Sequence, residues 1–204
     1  IASRALPHLV ERPVSIRRYP KGLSAPGVFQ KNVPPYYPQS MRRFEVPRSR
    51  AAAKRHPRKG DQNPDVTVYP LVADAEHLAY LANQGAIELH VPTARAPGLH
   101  RPDRLVFDLD PPSGAVDLVR RAALVVRDAL GELGLTTAPM ATGSKGYHVV
   151  AAIEPSVSVD VIASTVHKLS ALLAARHPDE LTIAFRIALR GRRVFVDWLR
   201  NHPN

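Results

Sequence analysis

Three aspartates stand where they could share a cation. In Arg104-Leu-Val-Phe-Asp108-Leu-Asp110-Pro-Pro, alternation of apolar and acidic residues predicts a β-strand. Residues two apart on a strand share a face, so Asp108 and Asp110 project together while Phe107 and Leu109 point the other way. Their Cα atoms would lie about 6–7 Å apart, near enough to repel unless a cation sits between the carboxylates. Ligation by oxygen alone suits Mg²⁺ or Mn²⁺ rather than zinc. Val194-Phe-Val-Asp197 ends a second predicted strand, with its carboxylate on the face opposite Val194 and Val196. Three aspartates from two strands can hold two cations about 3.5–4 Å apart, the arrangement used for in-line phosphoryl transfer. An isolated Asp-x-Asp also occurs where the second residue simply opens a turn, here at Pro111-Pro112.

Further polar residues support the first reading. In Ile87-Glu-Leu-His90, Ile87 and Leu89 are expected to face a core. His90 then lies on the opposite face, on a strand expected to neighbour the one bearing the aspartates. Thr142-Gly-Ser144-Lys145-Gly146-Tyr-His148 is a tight, cationic turn whose N–H groups, hydroxyl and ammonium suit a phosphate. It lacks the Gly-x4-Gly-Lys-Ser/Thr spacing of a P-loop and, taken alone, also fits a simple hairpin turn. Beside cation-binding carboxylates, a nucleoside triphosphate is the economical ligand.

These residues need elements to hold them. The segment from Ile1 to Leu9 reads as the back of a helix that began earlier, so the native chain is expected to start upstream. Pro13–Tyr19 and Gly27–Lys31 read as strands around a Lys21-Gly22 turn. Residues 47–64 are rich in Arg, Lys, Ala and Pro without any period, and read as a mobile basic loop. Val66–Val72 is a predicted strand; Asp74 caps a helix through Asn83 that Gly85 ends. Strands follow at 87–91 and 104–109. A helix over 115–133 carries Val116, Val119, Ala123, Val126 and Leu130 at helical spacing. Strands at 137–142 and 146–153 flank the Ser144-Lys145 turn. A second helix, 159–176, is expected to turn Val161, Val166, Leu169 and Leu173 to the core, before a final strand at 193–198. This order predicts an α+β fold with two helices on one face of a sheet.

Composition narrows the class. The 204 residues contain no Cys, which excludes disulfides, thiol nucleophiles and thiolate metal sites. No apolar run is long enough to span a bilayer or read as a signal peptide, so a cytoplasmic protein without a membrane partner is expected. Residues 1–66 carry 14 Lys and Arg against 4 Asp and Glu, whereas residues 67–204 carry 14 of each. A charge so one-sided fits either a solvated surface or the footprint of a phosphate-backbone partner, and without an apolar stripe nucleic acid is favoured over a membrane.

The ordered set Phe107-Asp108-Leu-Asp110-Pro, Ser144-Lys145-Gly146-Tyr-His148-Val and Val196-Asp197-Trp-Leu-Arg200-Asn201 resembles the primase-like polymerase domain of bacterial non-homologous end joining. That domain is found joined to ATP-dependent DNA ligase and in stand-alone relatives. Pro7-His8-Leu-x3-Pro13-Val and Gly27-Val-Phe-Gln-Lys31 resemble its amino-terminal motifs, so the likeness runs along nearly the whole chain. It implies an archaeo-eukaryotic primase-like fold with an RRM-like catalytic sheet. One primase-polymerase domain, 1–204, would comprise a basic β-rich subregion over 1–72 and a core over 73–204. It also implies primer extension or gap filling, often with ribonucleotides, using Mn²⁺ or Mg²⁺.

Matched residue by residue, Asp108, Asp110 and Asp197 take the places of the metal-binding catalytic triad. His90, Ser144, Lys145, Gly146, His148 and Arg200 fall at triphosphate-contacting motifs, while Phe29 and Lys31 fall in a motif lining the nucleotide and template pocket. DNA and nucleoside triphosphates are the implied partners, with a DNA ligase and the Ku end-binding protein beside them.

Three departures stand out. Val28 replaces a second Phe found in many relatives. The chain starts after the region that helps recognise a downstream 5′-phosphate, and it ends before a Pro-Tyr-Ser-x-Arg stretch, so truncation at both ends is expected. The 47–64 loop differs in the other direction: Arg48, Arg50, Lys54, Arg55, Arg58 and Lys59 are expected to follow DNA phosphates. Two alternatives stay open. A non-catalytic nucleic-acid-binding module could keep the fold. A haloacid-dehalogenase-like phosphohydrolase shares Phe-Asp-Leu-Asp, though it needs that motif on the first strand of a doubly wound sheet, followed by Gly-Thr.

Overall fold

The alternation around Asp108 is realised as strand β6 (Arg104–Asp110), in which Leu105, Phe107 and Leu109 are buried and the acidic residues face the other way. The computed structural model describes residues 1–48 and 65–202. Its chain divides into two compact units, Ile1–Pro97 and Gly98–Asn204.

The second unit is a five-stranded sheet with two helices on one face. Besides β6 it contains helix α3 (Val116–Glu132), β7 (Thr137–Ala141), β8 (Tyr147–Ala152), α4 (Val159–Arg176), β9 (Leu181–Thr182) and β10 (Val194–Asp197). The strand order is β7-β8-β6-β10-β9. All neighbours are antiparallel except the β9–β10 pair. This central, antiparallel setting of β6 is incompatible with the doubly wound parallel sheet that a dehalogenase-type phosphohydrolase requires.

On α3, Val119, Ala122, Val126 and Leu130 are fully buried at spacings of three, four and four, and they pack on Phe107, Leu109 and Val149. Each large apolar side chain buried in this way contributes about 1.5–3 kcal/mol. Ala122 takes the central place expected of Ala123, and Val116 is 49% exposed. On α4 the buried stripe is Ile162, Val166, Ser170 and Leu173, with Leu169 at its flank, while Val161 is 53% exposed. The expected Val161–Val166 pairing spans five residues, or 140° of a helix, whereas Ile162 lies four from Val166 and therefore above it. Ser158 sets this phase by accepting a bond from the Val161 N–H.

The first unit holds α1 (Ala2–Leu9), β1 (Ser15–Arg18), β2 (Val28–Gln30), β3 (Arg43–Pro47), β4 (Val66–Pro70), α2 (Ala75–Asn83) and β5 (Ala86–His90). The strands form a three-stranded sheet, β2-β1-β5, and a β3–β4 hairpin. Leu9, Val14, Ile16, Tyr37, Met41, Val72 and Leu81 make its core. The Asp74 carboxylate accepts the His77 N–H at 2.8 Å, capping α2 as expected.

Two expectations change here. β5 pairs with β1 and not with the aspartate strand, because Ile16 and Leu89 offer it an apolar antiparallel partner within the first unit. Ile87 is 61% exposed rather than in the core, where a register irregularity shifts β5 against β1. Strand β3 has no counterpart among the expected elements, and Pro47 closes it opposite Val66. Residues 49–64, with Arg50, Lys54, Arg55, Arg58 and Lys59, lie outside the described residues, as do 203–204.

Candidate active site

The antiparallel register of β10 on β6 sets Asp197 directly opposite Asp108, and Phe195 opposite Asp110. Directly opposed residues share a face, so all three carboxylates lie on the side of the sheet away from α3 and α4. On the other flank of β6, His148 lies opposite Asp108, and Met140 lies opposite His148. A single row, Met140–His148–Asp108–Asp197, thus crosses four strands. His148 is buried, and its Nε2 lies 3.2 Å from Asp108 Oδ2.

The electrostatics are those of crowded anions. Burial, followed by the Asp108 charge, raises the Asp110 carboxyl above its ordinary range; Arg190, Lys145 and His148 pull it back. Burial also raises Asp197, with Asp108 and Asp110 adding to the shift, against a bond from the Leu199 N–H and the charge of Arg190. That bond to Asp197 Oδ1 is 2.9 Å long. Among the described residues no three His, Asp or Glu side chains are grouped tightly enough to hold a metal ion as they stand. One oxygen of Asp108 and one of Asp197 are already turned to protein partners. The donor set nevertheless fits a hard divalent cation, with three carboxylates on one sheet face and two of them held above their usual range by burial and mutual repulsion.

The turn before β8 is locked to the strand carrying Asp110. Thr142 closes it, its hydroxyl donating to the Gly146 carbonyl at 3.0 Å and accepting the Ser144 N–H at 3.4 Å. A Cβ on Gly146 would fall 2.5 Å from the Leu109 carbonyl oxygen, so only glycine lets the backbones meet there. Ser144 and Lys145 are exposed at the tip.

Arg190 carries no signal in the sequence, since it lies in an aperiodic, arginine-rich loop between β9 and β10. Its Nε and Nη2 donate to the carbonyls of Ala184 and Phe185, each at 2.9 Å. Its guanidinium lies 3.8 Å over the Phe195 ring. Anchored in this way, it offers a fixed positive charge to Asp110 and Asp197. Arg200 is exposed on the 3₁₀ turn Leu199–Asn201 that follows β10.

The remaining candidates belong to the first unit. Phe29, 53% exposed, meets the His90 ring edge-on at 5.5 Å. His90 Nε2 lies 3.4 Å from Glu88, which also accepts the Tyr19 hydroxyl and pairs with Arg17 at 3.8 Å. The Tyr19 bond, more than the charges of Arg17 and His90, holds Glu88 below the ordinary carboxylate range. Arg17 and Tyr19 cross Gly27 closely: a Cβ there would meet both side chains at 2.8 Å, so they would have to shift. Lys31 follows β2, and the Arg48 N–H closes the β3–β4 hairpin on the Asp65 carbonyl at 2.7 Å.

The profile of the LigD primase-polymerase domain matches residues 1–204. The chain belongs to this family. With the family come a polymerase-type nucleotidyltransferase activity and the α+β primase-like fold. The chain is 32% identical over 210 residues to the multifunctional non-homologous end joining DNA repair protein LigD of Mycobacterium tuberculosis, covering 98% of this chain and 26% of that protein. It is 30% identical over 201 residues to LigD of Pseudomonas aeruginosa, covering 98% and 22%. The chain therefore spans about a quarter of the length of these relatives. Among solved structures, it is similar to the polymerase domain of Mycobacterium tuberculosis ligase D in complex with DNA, with a TM-score of 0.82 and 32% identity, over 97% of this chain and 67% of that one. No helix among the described residues is long and apolar enough to cross a membrane.

Proposed function

We propose that this primase-polymerase adds nucleotides, with a preference for ribonucleotides, to the 3′ end of a DNA primer during gap filling or double-strand-break joining. The observation that carries this reading is the cross-strand register of Asp108 with Asp197, with Asp110 on the same face and Lys145 and Arg190 beside it. Asp108, Asp110 and Asp197 would hold two Mn²⁺ or Mg²⁺ ions. When bound, these ions supply neutralisation of the triphosphate and activation of the primer 3′-hydroxyl.

The protein groups complete the site. Lys145 and Arg190 present positive charge where negative charge builds in the transition state, and Arg190, anchored by its bonds to Ala184 and Phe185, needs no reorganisation. Ser144, the N–H of Gly146, and Arg200 receive phosphate oxygens. His148 orients Asp108 as well as standing at the triphosphate motif. His90, Phe29 and Lys31 serve the incoming nucleotide and template base, and Arg48 with the basic residues after it follows the DNA backbone. The chain acts on DNA in the bacterial cytoplasm, beside an ATP-dependent ligase and Ku.

The test is extension of a labelled primer on a gapped duplex with Mn²⁺ and ribonucleotides, comparing the parent chain with Asp108→Ala. Extension by the parent, reduced about a thousandfold or more in the variant, is the expected outcome. Binding of the gapped duplex without extension by either protein would leave a nucleic-acid-binding module instead.

A further inference from the structure

β10 leaves the sheet one step after the candidate site. It pairs with β6 from Asp110 to Asp108; at Trp198 the backbone turns into helical geometry (φ −84°, ψ −16°) and enters the 3₁₀ turn Leu199–Asn201. The next inward-facing backbone pair on β6, that of Val106, has therefore lost its strand partner. A buried N–H and C=O left without partners cost about 1–3 kcal/mol each.

Asn201 fills the gap. Its side chain is fully buried. The Val106 N–H donates to Asn201 Oδ1 at 2.9 Å, and Asn201 Nδ2 donates to the Val106 carbonyl at 2.6 Å. The same Nδ2 reaches the Trp198 carbonyl at 3.3 Å. The primary amide thus offers the donor and acceptor that a β-strand residue would have supplied. A second anchor holds the start of the turn, where the Trp198 ring stacks on His167 of α4 with centroids 4.1 Å apart. Between these anchors lies the Leu199 N–H, which fixes Asp197 Oδ1 at 2.9 Å.

We propose that Asn201 is a positioning residue: its amide stands in for the missing strand at Val106 and so holds the turn whose N–H fixes the rotamer of Asp197. One oxygen of Asp197 is thereby committed to the Leu199 N–H, on a residue that stands opposite Asp108 in the β6–β10 pair. This inference rests on the reading of Asp197 as a cation ligand. Partners one bond removed from a ligand set its orientation, and their loss costs about 10–100-fold in metal affinity.

The experiment titrates Mn²⁺ into the full chain and follows the free ion by electron paramagnetic resonance, independently of turnover. Asn201→Ala is expected to weaken Mn²⁺ binding about tenfold. Val126→Ala, which removes core methyl groups from α3, is expected to lower the melting temperature while leaving Mn²⁺ affinity unchanged. Should Asn201→Ala not fold, Asn201→Asp carries the same expectation, because it keeps the acceptor for the Val106 N–H and loses both donated bonds. Mn²⁺ binding by a folded Asn201 variant equal to that of the parent overturns the clamp alone. A parent chain that binds no Mn²⁺, or binds it equally after Asp108→Ala, overturns the cation reading and the clamp with it.

Discussion

The two units differ in what their sequences are used for. The second carries 13 Lys and Arg against 11 Asp and Glu, and its apolar residues join in one continuous core beneath a five-stranded sheet. The first carries 15 against 7 and splits its strands between a three-stranded sheet and a hairpin. Acidic residues that repel one another need a stiff platform, and a sheet backed by two long helices supplies it. A surface that follows phosphates needs many cations. On the proposed function, chemistry falls to the second unit and substrate attraction to the first, and that division can be broken from either side.

Among tests that set one unit against the other, the largest effect is expected from Arg190→Ala. Loss of this anchored charge should reduce kcat about a hundredfold, with little change in affinity for DNA. Arg190 lowers both Asp110 and Asp197; without it their carboxyls rise further, so the acidic limb of the pH–rate profile should move to higher pH. A variant that loses DNA affinity and keeps kcat would erase the division between the units.

A smaller effect, on binding alone, is expected from the first unit. Exchanging Arg50, Lys54, Arg55, Arg58 and Lys59 for Gln should flatten the dependence of log K on log salt by about 0.9 for each DNA phosphate that is no longer neutralised, measured by fluorescence anisotropy on gapped DNA. Turnover at saturating DNA should not change. An unaltered slope would mean that these five residues do not neutralise DNA phosphates.

The smallest effect concerns stability. Because burial raises Asp110 in the folded protein, folding above the ordinary carboxylate range works against its ionisation. Stability from this group is greatest below its unfolded pKa and is lost as pH rises through the folded one. Asp110→Asn should therefore raise the melting temperature of the metal-free chain at pH 7 by about 2 °C. The gain should vanish as pH falls below the carboxylate range and reverse when Mn²⁺ is added, since only the parent gains a ligand. A variant melting below the parent in chelator would show that Asp110 is not held against its charge.

Much of the second unit was legible because its signals are local. Strand alternation exposed β6 and β10, and the side chains of Asp108, Asp110 and Asp197 followed from it. Helical spacing found α3 and α4 and most of their buried stripes, but took Ala123 for Ala122 and Val161 for Ile162 and expected Val116 inside, since several apolar positions lie near the edge of each stripe and only packing selects among them. Arg190 was invisible because its role depends on where an aperiodic loop folds back, and the two-residue β9 carries no period at all. His90 was placed beside the wrong strand because strand pairing is a long-range choice: β5 and β1 are separated by more than sixty residues. Asn201 belonged to a recognised motif, yet its bond to a strand 95 residues away leaves no trace in spacing.

The close approach of Gly146 to the Leu109 carbonyl separates the identity of the phosphate turn from its placement. The turn is soldered to the sheet at its base, by a glycine that admits no side chain, while Ser144 and Lys145 stand clear at the tip. Residues at the tip can therefore change without moving the backbone beneath the aspartates, and what such a change alters at Asp110 is charge alone, through Lys145.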